Sequence, residues 1–453
     1  MVTTAPLRVP PGPAGAGRYG NQVAYERDPL GFLLDQRQYG DLVRFADDLY
    51  LVNSPHLAET VLKHTNTAYT ISRDLLGEET DGGRASEDLA HWMRARSLAG
   101  RGLNRSSLRA AGDRLASTAV RHAGAWNARG RIDAVPALEE LSAELIAEFC
   151  LGPETGRVPV LVARLQDARL PGALPVPARW SPRRRRLHRV GRDLAAEVSR
   201  LILRRGRTRR EDSPAVIADL LVTACDEGAL THEGAVSIVV ANLFAAHETT
   251  AAALAWLFLL LDQHPQAQRQ VLAEAGRELD GGLRLPTAAD LPRLAVTEGV
   301  VKETLRLYPP LWFLERSVDQ PTELAGYPLR PGQRVAVSPF VLHRDPRHYD
   351  RPTEFRPDRW IDRPADYTLP KYAFMPFGGG PRTCLGAHFA TVAMIVTTAA
   401  LTSRYRLTRA PGSTPVFGTR SILQPEGLTL DVTTREDLAV APGRGGPAAT
   451  GTG

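Results

Sequence analysis

One cysteine of this 453-residue chain, Cys384, stands in a glycine-rich run (residues 377–386) directly before a segment compatible with a helix. A thiolate is an electron-rich metal ligand, and haem iron can be held by a single cysteine sulfur. Gly378 and Gly386 allow the backbone to pass close to a flat macrocycle, which side chains would block. The free N–H groups at a helix start lower the pKa of a nearby thiol. The run therefore predicts a loop that presents a thiolate to haem iron.

Two other side chains of the run fit the same chemistry. Arg382 is spaced to pair with a haem propionate, and Phe377 is spaced to shield the sulfur from water. The alternative is a buried, inert cysteine in a turn, which describes most cysteines. Because four features agree within one loop, that alternative is the weaker hypothesis.

The run from residue 377 to 386 resembles the haem-binding loop of the cytochrome P-450 family. The resemblance implies a mainly α fold with a minor β region, in which haem b (iron protoporphyrin IX) lies between a central and a proximal helix of a single triangular-prism-like domain. It also implies that Cys384 is the iron ligand. Further motifs of the family occur in the required order over nearly the whole chain.

A long apolar stretch upstream (residues 237–261) carries Glu248 and Thr249 at its middle. Polar groups at that depth in a membrane are costly, so a buried central helix is expected instead of a membrane span. In the family this acid–alcohol pair serves oxygen activation. The Thr249 hydroxyl is expected to bond back to a carbonyl one turn earlier and to open a groove, which Ala246 narrows where the family more often has glycine. The alternative is an ordinary helix with locally satisfied threonines.

Glu303 and Arg306 share one helical face and match the Glu-x-x-Arg pair of the family. Arg359 matches the third member, so these residues predict a buried ionic cluster with a structural role. Two more arginines, Arg96 and Arg316, together with Trp92, match family positions that contact the haem propionates. The alternative for each of these three is an ordinary exposed side chain.

The domain organisation follows from the resemblance and from composition. We expect a flexible lead over residues 1–17, one haem-thiolate domain over residues 18–438 and a disordered tail over residues 439–453. Periodicity predicts helices at about 54–64, 87–100, 134–150, 186–206, 213–228, 233–264, 265–278, 294–307 and 386–402, with short strands elsewhere.

Charge and cysteine content narrow the setting. The net charge of +6 and two arginine-rich runs, residues 181–186 and 204–210, suggest binding to nucleic acid. No nucleic-acid motif accompanies them, so no nucleic-acid partner is expected. The resemblance implies that this arginine-rich region falls at a lid between two helices that covers substrate entry and starts at residues 171–177. No signal or membrane anchor is recognised, and three cysteines indicate no disulfide framework, so a cytoplasmic monomer is expected.

The predicted activity is haem-thiolate monooxygenation of a small apolar secondary metabolite, with a terpene preferred over a polyketide. The family implies O2 as oxidant and electrons from NAD(P)H through a ferredoxin reductase and an iron–sulfur ferredoxin. A basic patch of Arg94, Arg96, Arg101 and Arg105 is predicted to dock the ferredoxin. The expected pocket residues are Asn242, Leu243, Ala246, Leu311, Trp312, Phe313, Leu314, Val416 and Phe417.

Three alternatives stay open from the sequence. A related enzyme could perform oxidative coupling, rearrangement or peroxide-driven oxidation. A non-catalytic haem carrier would explain Cys384 but leaves Glu248 and Thr249 without a role. An arginine-rich RNA-binding helical protein would contain no haem.

Overall fold

A computed structural model describes residues 9–15, 20–71, 93, 96–98, 100, 105–168, 182–208, 216–361 and 368–435. The helices of this part are α1 Gln22–Arg27, α2 Pro29–Asp35, α3 Pro55–Lys63, α4 Arg105–Arg129, α5 Ala134–Leu151, α6 Val158–Ala168, α7 Pro182–Thr208, α8 Ile217–Asp226, α9 His232–Gln263, α10 Pro265–Glu278, α11 Ala295–Leu307, α12 Pro339–Leu342 and α13 Ala387–Arg404. The fold is mainly α with a minor β region, as the resemblance implied.

The strands form small sheets beside the helices. They are β1 Leu42–Arg44, β2 Leu49–Val52, β3 Tyr69–Thr70, β4 Arg131–Asp133, β5 Leu314–Val318, β6 Thr322–Leu324, β7 Tyr327–Leu329, β8 Arg334–Val337, β9 Tyr405–Arg409, β10 Val416–Gly418, β11 Gln424–Glu426 and β12 Thr429–Thr434. The largest sheet has the order β1-β2-β8-β5-β3, and its β2–β8 pair is parallel. β4-β12-β9 form a second sheet, and β6-β7 and β10-β11 form hairpins.

Helix α9 runs through the centre of the molecule. Its first turn is capped by the Thr231 hydroxyl, which accepts a hydrogen bond from Gly234 N (3.1 Å). It ends at Gln263, and Pro265 then begins α10. Among the described helices, α9 is the one long and apolar enough to cross a membrane, but 72% of its apolar window is buried by the rest of the protein. It is the core helix that the sequence predicts.

Most predicted helices agree with the structure within a few residues. Helix α7 begins at Pro182, four residues before the predicted start, and the predicted ranges do not include α1, α2, α4, α6 or α12. The sequence of α4 contains Gly112 and Gly124, and each glycine lowers the helix propensity of the segment. Much of the predicted helix at 87–100 lies outside the described residues.

Candidate active site

The loop that carries Cys384 is closed by its own backbone. The N–H of Cys384 donates to the carbonyl of Phe377 (2.8 Å), and the N–H of Gly378 donates to that of Met375 (3.0 Å). A short 3₁₀ turn, Gly380–Arg382, leads to Cys384, and α13 begins at Ala387. The loop therefore holds the thiol immediately before the start of α13.

The helix start lowers the pKa of the Cys384 thiol as expected, but it does not decide the net shift. Burial raises the pKa of Cys384, whereas the N–H of Gly386 and the charge of Arg96 lower it, and burial dominates. The helix start is thus not sufficient to produce a thiolate. A metal cation at the sulfur would supply the missing stabilisation, because a coordinating thiol is deprotonated.

Cys384 lines a cavity of about 420 Å³. Helix α9 forms one wall, and the cysteine loop and the start of α13 form another. The α9 residues that line the cavity are Ile238, Ala241, Asn242, Ala245, Ala246, Thr249, Thr250 and Ala253. Ile146 and Phe149 of α5, Ile217 of α8 and residues 310, 311 and 314 complete an enclosure that is largely apolar.

Thr249 lies on the α9 wall, and its neighbour Glu248 is not among the lining residues. The Thr249 hydroxyl donates to the carbonyl of Ala245 (3.0 Å), one turn earlier, as expected. Helix α9 continues through this point without a break, from His232 to Gln263, and the groove stays a prediction.

Three arginines converge at one end of the cavity. Arg96 donates to the carbonyl of Thr383, and Arg382 donates to the side chain of Asn66 (3.1 Å). Burial, together with the charge of Arg382, lowers the pKa of Arg316 to about 10. Within the described residues no carboxylate forms an ion pair with Arg316, although its side chain is buried. Trp92, the fourth predicted contact, lies outside the described residues.

The residues of this cavity fit haem. The buried guanidinium of Arg316, to which no described residue supplies an anionic partner, lies next to two more arginines and suits the propionates. A Cβ added at Gly378 would meet only Leu314 Cδ1 (3.9 Å), and one at Gly386 would meet only Cys384 Sγ (4.0 Å). Space beside both glycines therefore belongs to the cavity, where a flat group can approach the backbone.

The predicted ionic cluster is present and buried. Arg306 Nε and Nη2 donate to both carboxylate oxygens of Glu303 (2.8 Å each), and neither side chain is exposed to solvent. Arg359 Nε donates to Glu303 Oε1 (3.0 Å). Trp360 Nε1, which the sequence analysis did not single out, donates to Glu303 Oε2 (2.8 Å). The remaining donors of Arg306 bind the carbonyls of residues 343, 352 and 354, so this cluster fixes the segment before the cysteine loop.

A family model described as Cytochrome P450 matches residues 10–430. The chain belongs to the cytochrome P450 family. It is therefore a cytochrome P450 monooxygenase, and the family implies a haem-thiolate cofactor and O2.

Two relatives of this P450 align over most of both chains. Cyclooctatin synthase of Streptomyces melanosporofaciens is 30% identical and aligns over 88% of this chain and 90% of its own. Pentalenene oxygenase of Streptomyces avermitilis is 29% identical over 90% of this chain and 94% of its own. The solved haem domain of cytochrome P450DA shares the fold, with a TM-score of 0.77 at 21% identity over 95% of this chain and 98% of that one.

The predicted pocket of this P450 needs correction. Asn242, Ala246, Leu311 and Leu314 line the cavity. Leu243 and Trp312 are buried in the core, and Phe313 is packed against it. Val416 and Phe417 are more than half exposed and outside the lining, because the β10–β11 hairpin turns them to the surface.

Some lining residues were not predicted. Thr250, Ile217, Phe389 and Met394 line the cavity, but neighbours in the sequence gave no indication of which faces would meet there. The predicted lid at residues 171–177 and two members of the basic patch, Arg94 and Arg101, lie outside the described residues. Of Arg105 the structure describes only the backbone, at the start of α4.

Proposed function

We propose that this P450 inserts one oxygen atom of O2 into a small apolar terpene, by hydroxylation or epoxidation. The observation that carries the proposal is that Cys384 and Thr249 line one largely apolar cavity. The preference for a terpene over a polyketide is supported by the relative named pentalenene oxygenase.

The chain's own residues have separable roles in this proposal. The Cys384 sulfur would hold the haem iron, and Arg96, Arg316 and Arg382 would hold the propionates. The chemistry that haem supplies when bound is the activation of O2, which a thiolate ligand favours by donating electron density.

Protons are delivered from the α9 side. The Thr249 hydroxyl donates to the carbonyl of Ala245, so its lone pairs stay available to accept from a water in the cavity. Glu248, which does not line the cavity, would relay protons to that water from behind the α9 wall. The alanines and isoleucines of the walls exclude bulk water from the reacting atoms.

The setting of the enzyme is part of the proposal. A single domain over residues 18–438, flanked by a lead and a tail, acts as a cytoplasmic monomer. NAD(P)H supplies electrons through a ferredoxin reductase and an acidic iron–sulfur ferredoxin. Arg96 donates a hydrogen bond to the carbonyl of Thr383, next to the cysteine. The surface proposed for docking of the ferredoxin is therefore the cationic side of the haem site.

The experiment compares Thr249→Ala with Thr249→Ser during turnover with a surrogate ferredoxin. The alanine variant loses the hydroxyl, so oxygen consumption continues while the yield of oxidised terpene per O2 falls about tenfold or more. The serine variant keeps most of the coupling. Equal coupling in wild type and Thr249→Ala contradicts the proton-delivery role.

A second measurement tests the haem site independently of catalytic turnover. Reduced wild-type protein treated with carbon monoxide shows the absorption of a thiolate-bound haem, and Cys384→Ala abolishes it. An unchanged spectrum in Cys384→Ala overturns the assignment of the ligand. Absence of haem from purified wild type would exclude the proposed activity altogether.

A further inference from the structure

The α9 wall of the cavity carries one amide among small apolar residues. Asn242 lies one turn before Ala246 and faces the cavity together with Ile238, Ala241 and Ala245. Apart from Asn242, the polar side chains on this wall are Thr249 and Thr250, two turns further along the helix. A polar group in an otherwise apolar binding cavity orients its ligand, since leaving it without a partner is costly.

The orientation of this amide is fixed by the helix. Asn242 Nδ2 donates to the carbonyl of Ile238 (2.8 Å). A carbonyl only accepts, so the nitrogen and not the oxygen must face it. Oδ1 therefore points away from Ile238. Within the described part of the chain nothing donates to Oδ1, and the atom is not sealed in the core.

We infer that the substrate bears a hydroxyl group that donates a hydrogen bond to Asn242 Oδ1. The inference rests on the proposed function and names the substrate class more closely: an apolar alcohol. Asn242 and Thr249 are seven residues apart, which is about 10.5 Å along a helix. The hydroxyl therefore lies about 10 Å from the carbon that is oxidised beside Thr249.

This arrangement gives the reaction a place in a sequence of steps. The alcohol, O2, two electrons and two protons give water and an oxidised product. The product is a diol when a C–H bond reacts, or the corresponding epoxy alcohol when a C=C bond reacts. For the diol, a C–H bond is broken, a C–O bond forms and the second oxygen leaves as water. The bound hydroxyl is not consumed. The substrate must therefore come from a reaction that has already placed a hydroxyl on the skeleton, such as an earlier oxygenation.

The test uses probes that all anchor on haem iron, so that only the far end varies. ω-(Imidazol-1-yl)alkanols with chains of six to ten carbons are titrated into the haem-loaded full chain, beside 1-alkylimidazoles of equal length and their ω-methoxy and ω-keto analogues. Each titration follows the absorption shift that nitrogen ligation produces. The measured quantity is the ratio of Kd for the alkyl compound to Kd for the matched alcohol.

In Asn242→Leu, which has a similar volume and no acceptor, this ratio is expected to fall about tenfold at the best chain length, the value of one net hydrogen bond. The ratio for the methoxy analogues stays unchanged, because an ether cannot donate. Ile238→Leu, a wall change that keeps the amide and its backbone partner, shifts all Kd values together and leaves the ratios unchanged.

Each of the other possible titration results contradicts one specific claim. An alcohol ratio that is equal in wild type and Asn242→Leu overturns the inference and leaves the monooxygenase intact. A fall confined to the keto analogues also overturns it, because the remaining amide N–H would then be the contact. Failure of every imidazole to shift the spectrum contradicts the proposed haem site itself.

Discussion

The imidazole of His343 links the backbone of Arg306 to that of Met375. Nε2 accepts from the N–H of Met375 (2.8 Å), and Nδ1 lies 3.1 Å from the carbonyl oxygen of Arg306. Since Nε2 accepts, Nδ1 carries the proton and donates to Arg306. Burial, reinforced by the Arg306 charge, lowers the pKa of His343 to about 3, so the ring is neutral. One neutral side chain thus connects the ionic cluster to the strand of backbone that closes on Cys384.

Replacing His343 by phenylalanine should loosen this connection. The change leaves the Met375 N–H and the Arg306 carbonyl buried without partners, so the free energy of unfolding should fall by about 2–4 kcal/mol. Urea denaturation followed by circular dichroism measures it. His388→Gln, at an exposed histidine four residues after Cys384, is the control and should change stability by less than about 0.5 kcal/mol. Equal effects of the two variants contradict the linking role.

The same histidine predicts how stability depends on pH. Its pKa is 6.5 when unfolded and about 3 when folded. The unfolded state therefore binds the proton first, and the contribution of His343 is full above pH 6.5 and decreases as the pH falls toward 3. Carboxylates such as Glu197, whose pKa is lowered to about 2, keep their full stabilising contribution above about pH 4.5 and lose it only below that pH. The loss of stability between pH 6.5 and 4.5 should be smaller in His343→Phe than in wild type. Parallel curves would contradict this assignment.

The buried carboxylate of Glu303 should contribute far more to the free energy of unfolding than the partly exposed Lys302–Glu298 ion pair beside it. Glu303→Gln leaves Arg306 and Arg359 charged without compensation, and the free energy of unfolding should fall by about 3–5 kcal/mol. Lys302→Gln removes an exposed pair with Glu298 and should change it by less than about 1 kcal/mol. Urea denaturation of both variants provides the comparison. A loss below about 1 kcal/mol in Glu303→Gln would show that the cluster does not hold the fold.

Features carried by local sequence could be predicted, and those set by distant packing could not. The cysteine loop, the core helix and the Glu303–Arg306 pair each lie within one short segment, and the structure has all three. Asn242 and Leu243 are neighbours, yet one lines the cavity and the other is buried. Which face of a helix meets a cavity depends on the elements that pack on its other sides.

The β10–β11 hairpin and the Cys384 thiol show two further limits of prediction from the sequence. Phe417 contacts Trp256 (ring centroids 5.4 Å apart) at the surface, so its position depends on a helix about 160 residues earlier in the chain. The pKa of Cys384 is decided by burial, which no local motif reports. Sequence patterns therefore predicted the chemistry of the site better than the residues that line its cavity.

Two glycines of the cysteine loop should respond differently to alanine. Both have positive φ, 71° at Gly378 and 68° at Gly380. A Cβ at residue 380 would overlap the carbonyl of Leu62, whereas one at residue 378 meets only Leu314 at 3.9 Å. Gly380→Ala should therefore lower the free energy of unfolding by about 3–5 kcal/mol, and Gly378→Ala by about 1–2 kcal/mol. Gly378→Ala should instead weaken haem binding, because its Cβ enters the cavity. Haem titration and urea denaturation separate the two effects, and an equal loss of stability would contradict the predicted contacts.

Arg316 should affect the haem-free and haem-loaded protein in opposite directions. In the haem-free protein its buried charge has no described carboxylate partner, and burial lowers its pKa to about 10. Arg316→Met removes that buried charge, so the haem-free protein should become more stable, by about 1–3 kcal/mol. The loaded protein loses a propionate contact, so transfer of haem to excess apomyoglobin should become about tenfold faster or more. Arg334→Met, at a partly exposed arginine of β8 that pairs with Asp48 (3.0 Å) and Glu315 (3.3 Å), is the control and should leave haem transfer unchanged. A slower transfer in Arg316→Met, or a less stable haem-free protein, would contradict the propionate role.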